Sequence, residues 1–259
     1  MPELPDLQVF GANLQKMLKG KTVSKVQLKT GAKSNTTAAS LRKALEGSKV
    51  HKVYREGKEL RFAFDNDHVL GMHLMLHGKL IYVDTNAEQK NTLFGLHFHD
   101  GSTLSLTDYQ GIANVSLDPE AATAPDALSP ELTAKYLSSR FEGSRAAVKN
   151  LLLDQHVVRG IGNAYADEIL WEAGISPFSV AKAIPAEMID KLLKAIKSVL
   201  KEAMEQIRQK EPGIIAGEVR DFLKIHQHKN AESPGGYPIL QKTKGGRKTY
   251  YTEEQTLFE

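Results

Sequence analysis

Apolar residues recur every three to four positions from Pro5 to Lys19. Leu7, Phe10, Leu14, Met17 and Leu18 share one face, so the spacing predicts an amphipathic helix, with Gly20 placed to end it. The period then shifts towards two. Val23, Val26 and Leu28 predict a strand within Lys21 to Thr30, with one irregularity. A short helix follows over Ala38 to Glu46, opened by Thr37 and closed by Gly47. From Val50 to Asp108 the pattern is mostly that of strands. Leu60, Phe62 and Phe64 alternate, Asp65-Asn66-Asp67 turns the chain, and Leu70 to Val83 is a second apolar region interrupted at Gly78. Phe94, Leu96 and Phe98 alternate with His97 and His99, and Asp100-Gly101 marks a hairpin before Leu104 and Leu106. Short strands joined by hairpins predict a β-sandwich or barrel-like domain with the first helix packed against it.

The pattern changes after Asp118 to Ser129, a stretch rich in Ala, Pro and Asp that reads as a linker. Ser129-Pro130 predicts a helix to about Phe141, and Ser144 a second one to Gln155. Asn163 is placed to cap a third, stopped by Gly174, and Pro185 to about Lys210 is a long fourth. The end, Phe222 to Phe258, carries short β-prone pieces, a turn at Ser233-Pro234-Gly235-Gly236 and a Gly245-Gly246 corner, which predict a small hairpin. The expected class is α+β in two domains. An N-terminal β-sandwich with flanking helices spans 1–120, followed by a linker at 121–128, a helical domain at 129–221 and a hairpin at 222–259.

The 259 residues suit two domains, and 41% hydrophobic with 25% charged residues is ordinary for a globular protein. No apolar run is long enough to span a bilayer, and polar residues interrupt the N-terminus where a signal peptide would need its apolar core. A cytoplasmic location without membrane contact is therefore expected. With no cysteine, disulfides, thiolate nucleophiles and Cys-ligated zinc are excluded. The net charge of +3 does not by itself demand a polyanion. Its distribution says more: Lys16, Lys19, Lys21, Lys25, Lys29 and Lys33 crowd the first segment, and Lys242, Lys244, Arg247 and Lys248 the last. Two such regions could flank a phosphate backbone or be solvated faces.

On its own, Met1-Pro2-Glu3-Leu4-Pro5-Asp6 reads first as an ordinary chain start with Pro5 as a helix entry, and second as a catalytic terminus. Removal of Met1 leaves Pro2 with a free secondary amine, which can attack an electrophilic sugar carbon and form an iminium ion. With Met1 retained, Pro2 is an inert tertiary amide. Glu3 is the adjacent proton donor or acceptor. A second stretch, Asp154 to Glu168, places Gly160 and Gly162 before a helix N-terminus, where free N–H groups suit a phosphate and Asn163 can cap the helix or donate its amide. Alone, a Gly-x-Gly is better explained as a tight turn between packed helices.

The whole stretch, continued through Trp171-Glu172-Ala173-Gly174-Ile175-Ser176-Pro177, resembles the helix-two-turn-helix signature of the formamidopyrimidine-DNA glycosylase / endonuclease VIII family. Pro2-Glu3-Leu4-Pro5, Gly57-Lys58, His73-Leu74 and Gly78-Lys79-Leu80 match the same family in order and spacing, over nearly the full chain. The resemblance implies a base-excision-repair DNA glycosylase with abasic-site lyase activity. Its partner would be damaged DNA, lying in the cleft between the domains, and a monomer needing no cofactor or metal is expected. Pro2 would attack the anomeric carbon, Glu3 would protonate the ring oxygen, and Lys58 would hold a phosphate beside the lesion. His73, Gly162, Asn163 and Arg247 would be DNA contacts, Arg247 from the second strand of a finger. The family's four zinc cysteines are replaced, Thr252 and Gln255 standing at two of the positions. A zincless finger held by packing of groups such as Tyr237, Ile239, Tyr250 and Tyr251 is expected, with His226 and His228 as surface or DNA-facing residues. His97 and His99 read as polar strand surface.

The resemblance departs where a flipped base must be replaced in the duplex. Leu76 stands at the family's Met, Gly111 at its Arg and Ile112 at its Phe, leaving Tyr109 or Gln110 as substitutes. The segment Glu211 to Asp221 is short, which favours an endonuclease VIII-like preference for oxidised pyrimidines, abasic sites or single strands. Two rivals stay open: a lyase with little glycosylase activity, and a non-catalytic protein that binds damaged DNA.

Overall fold

The computed structural model describes every residue except Asn86, Glu88, His228 and Gly245, so the expectations for His228 and the Gly245 corner lie outside the described residues. The chain forms two compact units. One comprises Met1–Ala121 with Ile207–Glu218, the other Ala122–Gln206 with Val219–Glu259.

The first unit opens with α1 (Leu4–Leu18), which buries Leu7, Phe10, Leu14 and Leu18 as its spacing predicts. Strand β1 (Val23–Leu28) carries its irregularity as a bulge between Val23 and Lys25. After β2 (Lys33–Ser34) comes α2 (Ala38–Leu45), where Thr37 Oγ1 accepts the Ser40 N–H at 3.1 Å and Gly47 turns the chain at φ 84°. Seven strands follow: β3 (Val50–Glu56), β4 (Glu59–Phe64), β5 (Val69–His73), β6 (Lys79–Val83), β7 (Thr92–Phe98), β8 (Thr103–Thr107) and β9 (Asn114–Leu117). They build a four-stranded sheet, β1-β7-β8-β6, and a five-stranded sheet, β2-β9-β5-β4-β3. Leu60, Phe62 and Met72 from one sheet and Phe94, Leu96, Phe98 and Leu104 from the other join α1 in a single hydrophobic core. This is the expected sandwich. Truncating one fully buried phenylalanine there, such as Phe62, to alanine would cost about 3–5 kcal/mol.

Residues 207–218 belong to this unit as well. Asn13 Nδ2 donates to the Ile214 carbonyl at 2.9 Å, and Ile214 and Ile215 pack on the core.

The second unit contains α3 (Ala134–Phe141), α4 (Val148–Leu153), α5 (Asn163–Glu172), a 3-10 turn at Ala181–Ala183, most of α6 (Ala186–Lys210), and the hairpin β10 (Leu240–Lys244) and β11 (Arg247–Tyr251). Three boundaries correct the sequence reading. Helix α3 starts at Ala134 because Thr133 Oγ1, not Ser129, takes an end N–H, that of Tyr136 at 3.1 Å. Helix α4 starts at Val148 because the carbonyls of Ser144 and Ala146 accept the N–H groups of Lys182 and Ala181, which holds this stretch extended. Helix α5 is capped by Gly162, which leaves Asn163 as its first residue with a side chain free to turn elsewhere. The stretch 121–128 is packed rather than loose: Ala124 and Ala127 are buried, and Arg159 Nε donates to the Ala124 carbonyl at 2.6 Å.

Candidate functional site

In the first unit the N-terminus is held by its own helix. Glu3 is the N-cap of α1; its N–H donates to Asp6 Oδ2 at 2.8 Å, and its carboxyl takes the Asp6 N–H in return. Pro2, Glu3 and Asp6 are all buried. Met1 is present, and its ammonium pairs with Glu218.

Lys58 stands at the tip of the β3–β4 hairpin. Glu56 pairs with Glu59, leaving Gly57-Lys58 as a two-residue turn. Gly57 has φ 58°, the left-handed value such a turn needs at its first position. The tip is tied to α1: Arg55 Nε donates to Gln8 Oε1 at 2.9 Å and its Nη1 to the Gly57 carbonyl at 3.0 Å. Gln8 is five residues beyond Glu3, about 7.5 Å along the helix axis. The hairpin tip that bears Lys58 is therefore tied to the helix whose N-terminus carries Pro2 and Glu3. His73 ends β5, and the strand after Lys58 is its neighbour in the sheet. Burial first, and the Lys58 charge second, push the His73 imidazole below its ordinary pKa. The neutral ring accepts the Met75 N–H at Nδ1, 3.1 Å, which leaves its own proton on Nε2.

Two loops continue this face. Leu74 to Gly78 is a tight turn closed by Gly78 N–H to the Leu74 carbonyl at 2.9 Å, with Leu76 57% exposed at its crest. The other loop hangs on Asp108, whose carboxylate takes the N–H groups of Gln110, Ile112 and Ala113 at 2.8–2.9 Å. Burial alone would raise the Asp108 pKa; those three donors and the nearby His77 outweigh it and hold the group low. Tyr109 and Gln110 are consequently presented outward, Tyr109 66% exposed with its ring 4.8 Å from that of His77. Gly111 sits at φ 68°.

In the second unit, α4 and α5 form a helix pair whose intervening turn is braced by Gln155. Its Oε1 accepts Gly160 N–H at 2.9 Å and its Nε2 donates to the Ile161 carbonyl at 3.0 Å. Asn163 Nδ2 donates to the Lys248 carbonyl at 2.9 Å, so it grips the hairpin strand that carries Arg247, which is exposed.

The hairpin is held partly as expected: Tyr250 is buried and Ile239 half-buried, whereas Tyr237 is 47% exposed. A polar knot that the aromatic residues did not announce secures it as well. Glu254 Oε2 accepts from Trp171 Nε1 at 3.0 Å, Ser233 Oγ at 2.6 Å and Thr252 Oγ1 at 2.9 Å. Gln255 bridges Thr252 N–H and the Ile175 carbonyl. Tyr251 meets Phe178 edge-on at 4.9 Å. His226 is half-buried and lies with Nδ1 2.7 Å from the buried Asp167. Glu168, next on α5, takes three backbone N–H groups from Lys224, Ile225 and His226, yet burial dominates and raises its pKa. His97 is satisfied by Thr103 and Gln27, and His99 is exposed. Among the described residues no group of three or more His, Cys, Asp or Glu side chains could hold a metal, and no helix is long and apolar enough to cross a membrane.

Family models for the formamidopyrimidine-DNA glycosylase N-terminal domain and H2TH domain match residues 1–115 and 123–211. The formamidopyrimidine-DNA glycosylase of Lactobacillus gasseri is 30% identical over an alignment that covers 97% of each chain. The chain belongs to the formamidopyrimidine-DNA glycosylase family. Its fold is also that of solved members. A structure of MutM in complex with DNA containing carbocyclic 8-oxo-G is 25% identical with a TM-score of 0.87, covering 98% of this chain and 99% of that one. MutM (Fpg) of Thermus thermophilus is 26% identical with a TM-score of 0.84, covering 98% of each. In family terms α4 and α5 lie within the H2TH domain.

Sequence reasoning missed Arg55, Asp108, Lys149, Asp167, Glu168, Glu218 and Glu254. Only Asp167 had a signal, its i, i+4 spacing from Asn163 on a predicted helix. Asp108 binds loop N–H groups two to five residues on, and the other residues each have at least one partner far away in sequence.

Proposed function

We propose that this chain is a bifunctional base-excision-repair enzyme that removes an oxidised base from DNA and then cuts the strand. Once Met1 is removed, the Pro2 amine attacks C1′ of the damaged nucleotide, the N-glycosidic bond breaks, and the base leaves with a proton. Glu3 protonates the ring oxygen, the sugar opens, and an iminium forms between Pro2 and C1′. That cation acidifies C2′. Loss of a C2′ proton expels the 3′ phosphate by β-elimination, and water then releases Pro2. Lys58 holds a phosphate beside the lesion, and His73, Gly162, Asn163 and Arg247 are further DNA contacts. Leu76, Tyr109 and Gln110 occupy the place of the extruded nucleotide.

The observation that carries the reading is this tie between helix and hairpin. Pro2 and Glu3 are fixed at the end of a rigid, buried helix, and the hairpin tip bearing Lys58 is tied to that helix through Arg55 and Gln8. A protein that only binds damage has no use for a terminal amine beside a buried carboxyl. The DNA-bound relative supports DNA as the partner.

Borohydride trapping tests it. A covalent adduct with abasic DNA is expected, and its disappearance in Pro2→Gly. Binding without an adduct would favour the non-catalytic reading. Trapping without release of any base from a panel of single- and double-stranded lesions would favour the lyase alone, which Gly111 makes the second reading. A glycine at φ 68° offers no side chain to an orphaned base.

A further inference from the structure

Strand β11 has β10 on one side only, and a lone two-stranded hairpin is marginal in water. Helix α5 covers the other side. Asn163 and Asp167 stand one turn apart on the same helix face. Asn163 Nδ2 donates to the Lys248 carbonyl at 2.9 Å, and the Tyr250 N–H donates to Asp167 Oδ2 at 3.0 Å. Backbone groups two residues apart point to one edge of a strand, so the two side chains read successive groups of the same edge.

Asp167 is the centre of this contact. It is 1% exposed, and Lys149, 4% exposed, reaches it from α4 with Nζ 2.7 Å from Oδ1. The same Nζ donates to Thr249 Oγ1 at 2.8 Å. His226 Nδ1 lies 2.7 Å from Oδ2, its ring edge-on to Tyr250 at 4.7 Å. One carboxylate thus joins α4, α5, the loop before the finger and β11. A buried ion pair is weak evidence for stability, because apolar residues of the same volume often do as well; fixing register is its better-attested use.

We propose that Asp167 is a positioning residue for DNA binding: it fixes β11 on α5 and so aims Arg247, three residues before Tyr250, at a phosphate. The proposal rests on the role given to Arg247 above. It adds that a carboxylate, beside the packing of Tyr250 and Tyr251, sets the docking of this finger.

The test is a double-mutant cycle on affinity for a duplex carrying a tetrahydrofuran abasic analogue, measured by fluorescence anisotropy at several salt concentrations. Arg247→Ala is expected to weaken binding about tenfold and to lower the salt slope by about one. Asp167→Asn should do much the same, and should also lose amide-exchange protection at Tyr250 while the amides of α5 keep theirs. The double variant should bind no worse than Arg247→Ala alone. Losses that multiply in the double variant overturn the proposal, since Asp167 would then act on something other than Arg247. Arg247→Ala with unchanged affinity and slope removes the phosphate contact on which the proposal stands, and it falls with that contact. If Asp167→Asn does not give folded protein, His226→Ala, which leaves the Lys149 pair in place, carries the same cycle with the same deciding outcomes.

Discussion

The Lys58 ammonium acts on the His73 imidazole from the tip of the neighbouring hairpin. Burial is the larger cause of the lowered pKa at His73, and the Lys58 charge the smaller. Lys58→Gln removes only the second, so the His73 titration followed by NMR should move upward yet stay below the ordinary 6.5. A histidine depressed on folding contributes stability that is present above its unfolded pKa and lost as pH falls below it. The variant should therefore lose less stability between pH 7 and 5 than the parent. Losing a charge-assisted phosphate contact, about 1.5–3 kcal/mol, should slow strand cleavage roughly 10- to 100-fold. A His73 titration identical in parent and variant would show that the two groups do not communicate.

Glu254 ties the finger turn to Trp171, the single tryptophan of the chain, which makes that knot directly observable. Burial would raise the Glu254 pKa, but hydrogen bonds from Ser233, Trp171 and Thr252 outweigh it and lower it. A carboxyl depressed on folding adds stability above its unfolded pKa, 4.5, and loses it as pH falls through the folded value. Trp171 fluorescence should thus be flat above pH 4.5 and change below it. In Glu254→Gln that acid transition should vanish, with about 1–3 kcal/mol of stability lost at neutral pH. The same acid transition in the variant would assign it to another group.

Local pattern made most of the fold legible. The apolar period of 3.6 in α1, the alternation of Leu60, Phe62 and Phe64, and the turn residues Gly57 and Gly47 each state their structure within a few neighbours. The errors fall where two local signals competed and a distant contact decided. Ser129 and Thr133 are both good caps, and the Tyr136 N–H chose the second. Ser144 can open a helix, but its carbonyl is taken up by the N–H of Lys182, 38 residues away. The polar half of what holds the hairpin was hidden for the same reason. Aromatic residues suggest packing, whereas Glu254, Ser233 and Trp171 show their purpose only once the chain brings them together. Pro2, Glu3 and Lys58 were visible as motif residues, and the Arg55–Gln8 link that ties the hairpin to the helix was not.

Gly78 closes the turn that lifts Leu76, and the space there is already taken. A Cβ at this position would stand 2.2 Å from the Leu74 carbonyl oxygen and 2.9 Å from its carbon, backbone atoms that cannot swing aside. Gly78→Ala should force the turn open at a cost of about 1–3 kcal/mol. For a chain of this size that lowers Tm by roughly 2–12 °C. If Leu76 is a DNA wedge, the variant should also lose affinity for duplex abasic DNA more than for single-stranded DNA, because only the duplex has a stack to fill. A thermal melt and paired anisotropy titrations measure both, and an unchanged Tm would mean that the turn relaxes freely.

The Met1 ammonium pairs with Glu218, in the segment that Asn13 and the core hold against the first unit. Removing Met1 moves the chain's terminal nitrogen one Cα spacing, about 3.8 Å, towards Glu3. It also turns the Pro2 nitrogen from an amide into a nucleophilic amine. Catalysis should therefore depend on processing while recognition does not. A variant with Gly-Ser placed ahead of Met1, verified intact by mass spectrometry, should bind abasic DNA within about threefold of the processed enzyme, since no phosphate-contacting residue changes. It should yield no borohydride adduct and no strand cleavage. Proteolytic release of a free Pro2 amine from a cleavable version should restore both. Adduct formation by the blocked protein would instead place the Schiff base on a lysine, with Lys58 the first to substitute, and would take Pro2 out of the mechanism.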